Sequence, residues 1–295
     1  MQQLDIFSDS ASVQRANDLI AALANLDRPA SRQALHHLAA VDPHHANLPQ
    51  YRALCDFIDH WVEFCDAPDR TSTPAAIATE ERLIREQIIP AAIVMGNAGG
   101  DLVRGCWFKL AKASEEAGIT LEHSACFAAE LYLRARQFSD VVRMARETPG
   151  AEMRAIAQRW LALGFYGCGE AEQAQRAVLR YAWLASQQFD ALVDETGDTK
   201  LARDWKGFQA DLGDLDATWF PAWHAHEKKT AVPMLENLPD SDGGTAYRLV
   251  MELAILERGG IGPAVYKARA HLKQLEESFF AFYMQHRSDL LARNR

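Results

Sequence analysis

The chain has 295 residues, of which 48% are hydrophobic and 24% charged, and it carries a formal net charge of -9 at pH 7. That balance excludes a disordered or fibrous protein. The acidity works against nonspecific nucleic-acid binding, whose affinity comes mostly from cations neutralising phosphates.

Apolar residues recur at three- and four-residue spacing almost throughout, and alternating runs rich in Val, Ile and Thr are missing, which predicts an all-α fold of antiparallel helix hairpins. No run of 18 or more apolar residues occurs, and Asp5 with Ser8-Asp9-Ser10 breaks any secretory leader, so the expectation is a cytoplasmic chain without a membrane span. The first helix is expected over 11–25, with Ala16, Leu19, Ile20 and Leu23 on one stripe and Asp27-Arg28-Pro29 as its stop. A second helix covers 30–41 and ends at Asp42-Pro43. A third, over 48–65, carries Leu54, Phe57, Ile58, Trp61 and Phe64 on a broad apolar face. Pro74 opens a long helix over 75–95 that Pro90 kinks or divides. The following Gly96-Asn97-Ala98-Gly99-Gly100 has neither a preceding strand nor a Lys-Ser or Lys-Thr, so it reads as a tight interhelix turn rather than a phosphate loop.

From Asp101 onward the helices come in pairs. Ala128-Ala129, Tyr132, Phe138, Val141 and Ala145 stand 33 residues before Leu161-Ala162, Phe165, Ala171, Ala174 and Val178. This spacing resembles tetratricopeptide repeats over roughly 120–186, with a fainter echo at 249–268. Ala162, Phe165, Gly169 and Ala174 fit the repeat well, whereas Arg136 stands where it wants a turn glycine and Val141 where it wants alanine. The resemblance implies a right-handed solenoid of helix hairpins whose grooves bind a peptide or a helix. Segment 190–237 is less regular. A last long helix is expected from Pro263 to about Arg293, of a length that suits a capping helix or a homodimer seam. The organisation read from the chain is therefore a flexible docking peptide over 1–10, helical hairpins over 11–118, repeats over 119–189 and a C-terminal helical region over 190–295.

Near the amino end stands Gln3-Leu4-Asp5-Ile6-Phe7. This pentapeptide resembles the motif by which bacterial replication and repair proteins bind the sliding clamp, with Ile6 in place of the usual Leu. An extended tail can lay Leu4, Ile6 and Phe7 into an apolar groove while the Gln3 amide makes directed hydrogen bonds. The competing reading is that these side chains staple the first helix to the body.

Neighbouring residues on a helix point about 100° apart, so neither His36-His37 nor His44-His45 chelates from one face, and only His37, Asp42 and His45 could gather around the turn. Five cysteines form no Cys-x-x-Cys pair and read as buried thiols rather than as a disulfide framework or a zinc site. Trp219, Phe220 and Trp223, with His224, His226 and Glu227, have the composition of an interface hot spot or of a pocket wall, against a default of core packing. The order His-x-His-Glu does not fit a zinc peptidase. Glu80-Glu81, Glu115-Glu116 and Glu276-Glu277 read as solvated surface. Arg134, Arg136, Arg143, Arg146, Arg154, Arg159, Arg176 and Arg180 form a local basic excess, read as partners of nearby carboxylates or as an anion-binding face. No nucleophile motif or cofactor motif is present. The sequence thus points to a protein-binding scaffold without a cofactor, the alternatives being a helical ligand-binding protein or enzyme with a pocket near 219–227, or a nucleic-acid contact through the arginines of 134–180.

Overall fold

The computed structural model describes residues 10–65, 73–121, 123, 127–228 and 237–293, and these are helical with no strand among them. The chain divides into two compact units, Met1–Met144 and Ala145–Arg295. No described helix is long and apolar enough to cross a membrane.

The first unit opens with α1 (Ala11–Ala24), capped by Ser10, whose hydroxyl accepts the Val13 N–H at 3.2 Å. Pro29 does not stop α1; it sits in the first turn of α2 (Arg28–Val41), where a missing N–H costs nothing, and Asp27 caps that helix from Ala30. The break comes instead from Leu26, at φ +54°, with the Asp27 N–H closing back on the Ala22 carbonyl. α1 and α2 form a hairpin, and α3 (Leu48–Cys65) packs on α2. Leu19, Leu23, Leu38, Leu54, Ile58 and Trp61 are sealed in this core, each worth about 2 kcal/mol of burial. Trp61 stacks between Phe57 and Phe64.

Pro90 leaves its mark one turn early. α4 (Pro74–Leu83) widens into a π-turn over Ile84–Ile88 before α5 (Ile89–Ala92), and the Ile89 N–H reaches the Ile84 carbonyl, a detour around the donor that proline lacks. The glycine-rich stretch is a tight turn into α6 (Asn97–Glu116), with Gly99 so close to α5 that an added Cβ would lie 2.0 Å from the Ala92 carbonyl oxygen. Glu80 and Glu81 depart from the expected solvated surface, being only 5% and 8% exposed. α4 packs on α6, which turns them inward. There Glu80 meets His60 at 2.8 Å and Glu81 meets Arg134 at 2.5 Å.

Two interhelix turns, 33 residues apart, share one geometry. α7 (Ala128–Arg134) leads to α8 (Phe138–Glu147) through Arg136 at φ +58°; α9 (Ala155–Cys168) leads to α10 (Ala171–Leu184) through Gly169 at φ +77°. Both turns close with the same six-to-one hydrogen bond, Gln137 N–H to Tyr132 at 2.9 Å and Glu170 N–H to Phe165 at 2.8 Å. Arg136 therefore holds a left-handed conformation that strains any residue with a Cβ. We expect Arg136→Gly to raise stability by about 1 kcal/mol, read as a higher urea midpoint at unchanged slope; a lower midpoint would contradict this account.

In the second unit, the α9–α10 hairpin is followed by α11 (Phe189–Thr196), α12 (Thr199–Leu212), α13 (Phe220–Lys228), α14 (Asp242–Leu256), α15 (Pro263–Leu275) and α16 (Glu277–Arg293). The single final helix expected from Pro263 onward is instead two. Glu276 turns extended at φ −156°, and its carboxylate caps the new start at the Ser278 N–H and hydroxyl. The break lets α16 fold back against α12 while Phe279, Phe282 and Tyr283 are buried.

Candidate functional site

The aromatic and histidine cluster of the second unit is core, not surface. Trp219, Phe220, Trp223, His224 and His226 are 8%, 0%, 4%, 3% and 4% exposed, so they offer a partner almost nothing to touch. α13 is covered on nearly every side, with Phe220 through His226 all buried. α10, α12 and α14 pack on it, Phe220 sits among Phe189, Trp205 and Phe208, and His226 lies against Phe282 and Tyr283. Trp223 donates to Asp211 at 2.9 Å.

His224 anchors a buried polar knot beneath these rings. Its Nε2 lies 3.0 Å from the Gln175 amide and 3.6 Å from the buried Asp204 carboxylate, which Lys228 holds at 2.7 Å. Burial is the largest effect on the ring and lowers its pKa to about 4, outweighing the Asp204 charge, so the imidazole is neutral at physiological pH. The arrangement fixes α10, α12 and α13 to one another.

The other expected groups are spread apart. Asp42 accepts from Ser12 at 2.8 Å, His45 accepts from the Asn47 N–H, and among the described residues no three metal-ligating side chains converge. Cys55 and Cys106 are buried free thiols, the former pushed up to about 11 by burial, whereas Cys168 is exposed at the end of α9. Gln3, Leu4, Asp5, Ile6 and Phe7 lie outside the described residues.

Three arginines of the basic excess are held by carboxylates within their own unit. Arg134 meets Glu81; Arg143 grips Glu115 at 2.8 and 3.0 Å; Arg159 meets Glu195 at 2.8 Å. In the first unit Glu115 also accepts from the Tyr132 hydroxyl at 2.6 Å, and the two donors, Arg143 foremost, hold its carboxyl below the usual range. Three others come together in space.

Arg146, Arg176 and Arg180 line one open cleft of about 360 Å³ on the α9–α10 hairpin. α9 contributes Gln158, Leu161 and Phe165, and α10 contributes Gln173, Arg176, Ala177 and Arg180, each set spaced to share one helix face. The turn at Ala151 and Glu152 forms the rim, held by Gln158, which donates to the Ala151 carbonyl at 2.8 Å. The floor is apolar. Arg146 sits over the Phe165 ring, 5.1 Å from its centroid, and makes no ion pair among the described residues. Arg176 spends one terminal nitrogen on Glu172 at 2.8 Å, while its buried Nε has no hydrogen-bond partner among the described residues. Arg180 faces Glu152 at 3.6 Å, beyond hydrogen-bond reach, and Glu152 accepts instead from Asn237 at 2.8 Å. Three guanidiniums thus line one cleft, with Glu172 bonded to Arg176 and Glu152 facing Arg180.

The arginines themselves were visible in the sequence, but Gln158, Phe165 and Ala177 were not legible as their neighbours. The signal that could have found them is the matched helical spacing of 158, 161 and 165 with 173, 176, 177 and 180. Compared with protein-family models, curated proteins and solved structures, the chain matches none.

Proposed function

We propose that this protein is a non-enzymatic adaptor, built from tetratricopeptide-like helix hairpins, that binds protein partners and is tethered to the bacterial sliding clamp through Gln3, Leu4, Asp5, Ile6 and Phe7. The observation that carries the adaptor half is the α9–α10 cleft: open, cationic and floored by Phe165, it has the make-up of a recognition surface rather than of a reaction chamber. The tether rests on the resemblance of the pentapeptide. The buried Asp204 carboxylate is held by Lys228 at 2.7 Å at the edge of the second unit's core, which suits a structural contact.

The tether is tested by calorimetry with purified sliding clamp. Wild type should bind with a micromolar Kd, typical of short peptide motifs, and Leu4→Ala combined with Phe7→Ala should abolish the heat. A wild-type chain that gives no heat at tens of micromolar clamp removes the tether from this proposal.

A further inference from the structure

We infer that the α9–α10 cleft binds an acidic peptide segment of a partner protein, one in which an Asp or Glu stands beside an apolar side chain; this rests on the adaptor reading above. The chemistry of the walls selects the ligand. A guanidinium seated on a ring face, as Arg146 is on Phe165, is held in place without using up its N–H donors. Arg176 brings a second, part-exposed guanidinium to the same wall, with one terminal nitrogen on Glu172 at 2.8 Å. Such forks match carboxylates bidentately, and two of them on one wall hold an anion far better than they hold an amide.

Three observations favour an acidic peptide over a nucleic acid. The cleft is about 360 Å³, room for two or three side chains but not for a tracked phosphate backbone. A resident carboxylate, Glu152, already stands at the rim beside Arg180 without hydrogen-bonding it, so carboxylate is a chemistry this wall accommodates. The chain's net charge of -9 repels a long polyanion, whereas a peptide with two or three charges feels mainly the local arginines. The apolar neighbour is specified by Leu161, which is half-buried and keeps apolar surface next to the cations above the buried Phe165 and Ala177.

The full-length chain is titrated against a fluorescein-labelled peptide, Gly-Asp-Leu-Glu-Asp-Leu-Gly, with anisotropy as readout. The controls are the same peptide with Asn and Gln in place of the acids, and labelled oligothymidylate. The acidic peptide should bind with a micromolar Kd and at least tenfold more tightly than either control. Arg146→Gln with Arg176→Gln should weaken it at least tenfold at an unchanged far-ultraviolet dichroism spectrum, and Arg146→Lys should weaken it less. Equal binding of the acidic and amide peptides, tighter binding of oligothymidylate, or undiminished binding by the folded double variant overturns the inference. The double variant should keep its affinity for the sliding clamp, so an inert cleft with clamp binding intact refutes this inference alone, and an inert pentapeptide with peptide binding intact refutes the tether alone.

Discussion

Glu257→Ala is expected to destabilise the second unit by about 3–5 kcal/mol, the characteristic loss when one partner of a buried ion pair is removed. Glu257 and Arg269 have side chains only 7% and 13% exposed. One carboxylate oxygen, Oε1, accepts from Arg269 Nε at 3.2 Å and Nη2 at 2.9 Å, and from the Tyr283 hydroxyl at 2.7 Å. That single atom therefore joins the end of α14 to α15 and α16. Burial raises the Tyr283 pKa to about 12, so its proton stays in place to donate. Truncation to Ala strands a guanidinium and a hydroxyl in a dry interface, and their desolvation, more than the lost attraction, is the cost. Urea unfolding measures it. The triple replacement Glu257→Met, Arg269→Met and Tyr283→Phe should recover most of the loss, because it removes every polar group together. A loss under about 1 kcal/mol for Glu257→Ala alone would show that this interface admits water.

Gly243→Ala should cost about 3 kcal/mol, despite alanine's better helix propensity of about 1 kcal/mol. Gly243 lies in the first turn of α14, which crosses the short turn at Ala217–Trp219 with no room for a side chain. An added Cβ would stand 2.2 Å from the Thr218 carbonyl oxygen and 2.7 Å from its carbon. Both are backbone atoms, so relief requires moving an element rather than turning a rotamer. Since the same turn seats Trp219 against Phe279, the shift would loosen α16 as well. Gly259→Ala is the matched control: nothing lies within 4 Å of its added Cβ, so stability should be unchanged or slightly raised. Thermal unfolding of the pair decides the point, and equal melting temperatures would refute the close contact.

The two effects differ in how much of them a reader of the chain could foresee. Helix stripes such as Leu19 with Leu23 and Leu54 with Ile58 and Trp61 were legible, because burial of one helix face imposes its period directly on the sequence. The turn at Gly169 was legible too, since glycine is the residue a left-handed turn favours, whereas the left-handed Arg136 was not. Other features resisted. Trp219, Phe220 and Trp223 are as apolar as a recognition patch, and nothing local says that three neighbouring helices cover them. Glu80 and Glu81 have the pattern of a solvated face, yet distant residues, His60 and Arg134, supply the partners that allow their burial. Glu276 seemed mid-helix because Glu is a good helix former, and its capping role appears only where the chain folds back.

By itself, then, the amino-acid sequence determined the all-α class, the hairpin spacing and most of the core stripes, because these follow from backbone hydrogen bonding and from periodicity within some twenty residues. Tertiary structure alone decided which charges are buried, which aromatics are covered, and that Arg146, Arg176 and Phe165 share one wall. Those outcomes depend on residues tens of positions apart meeting in space, and the free energy of a buried charge or an exposed ring is set by that meeting rather than by its neighbours in the chain.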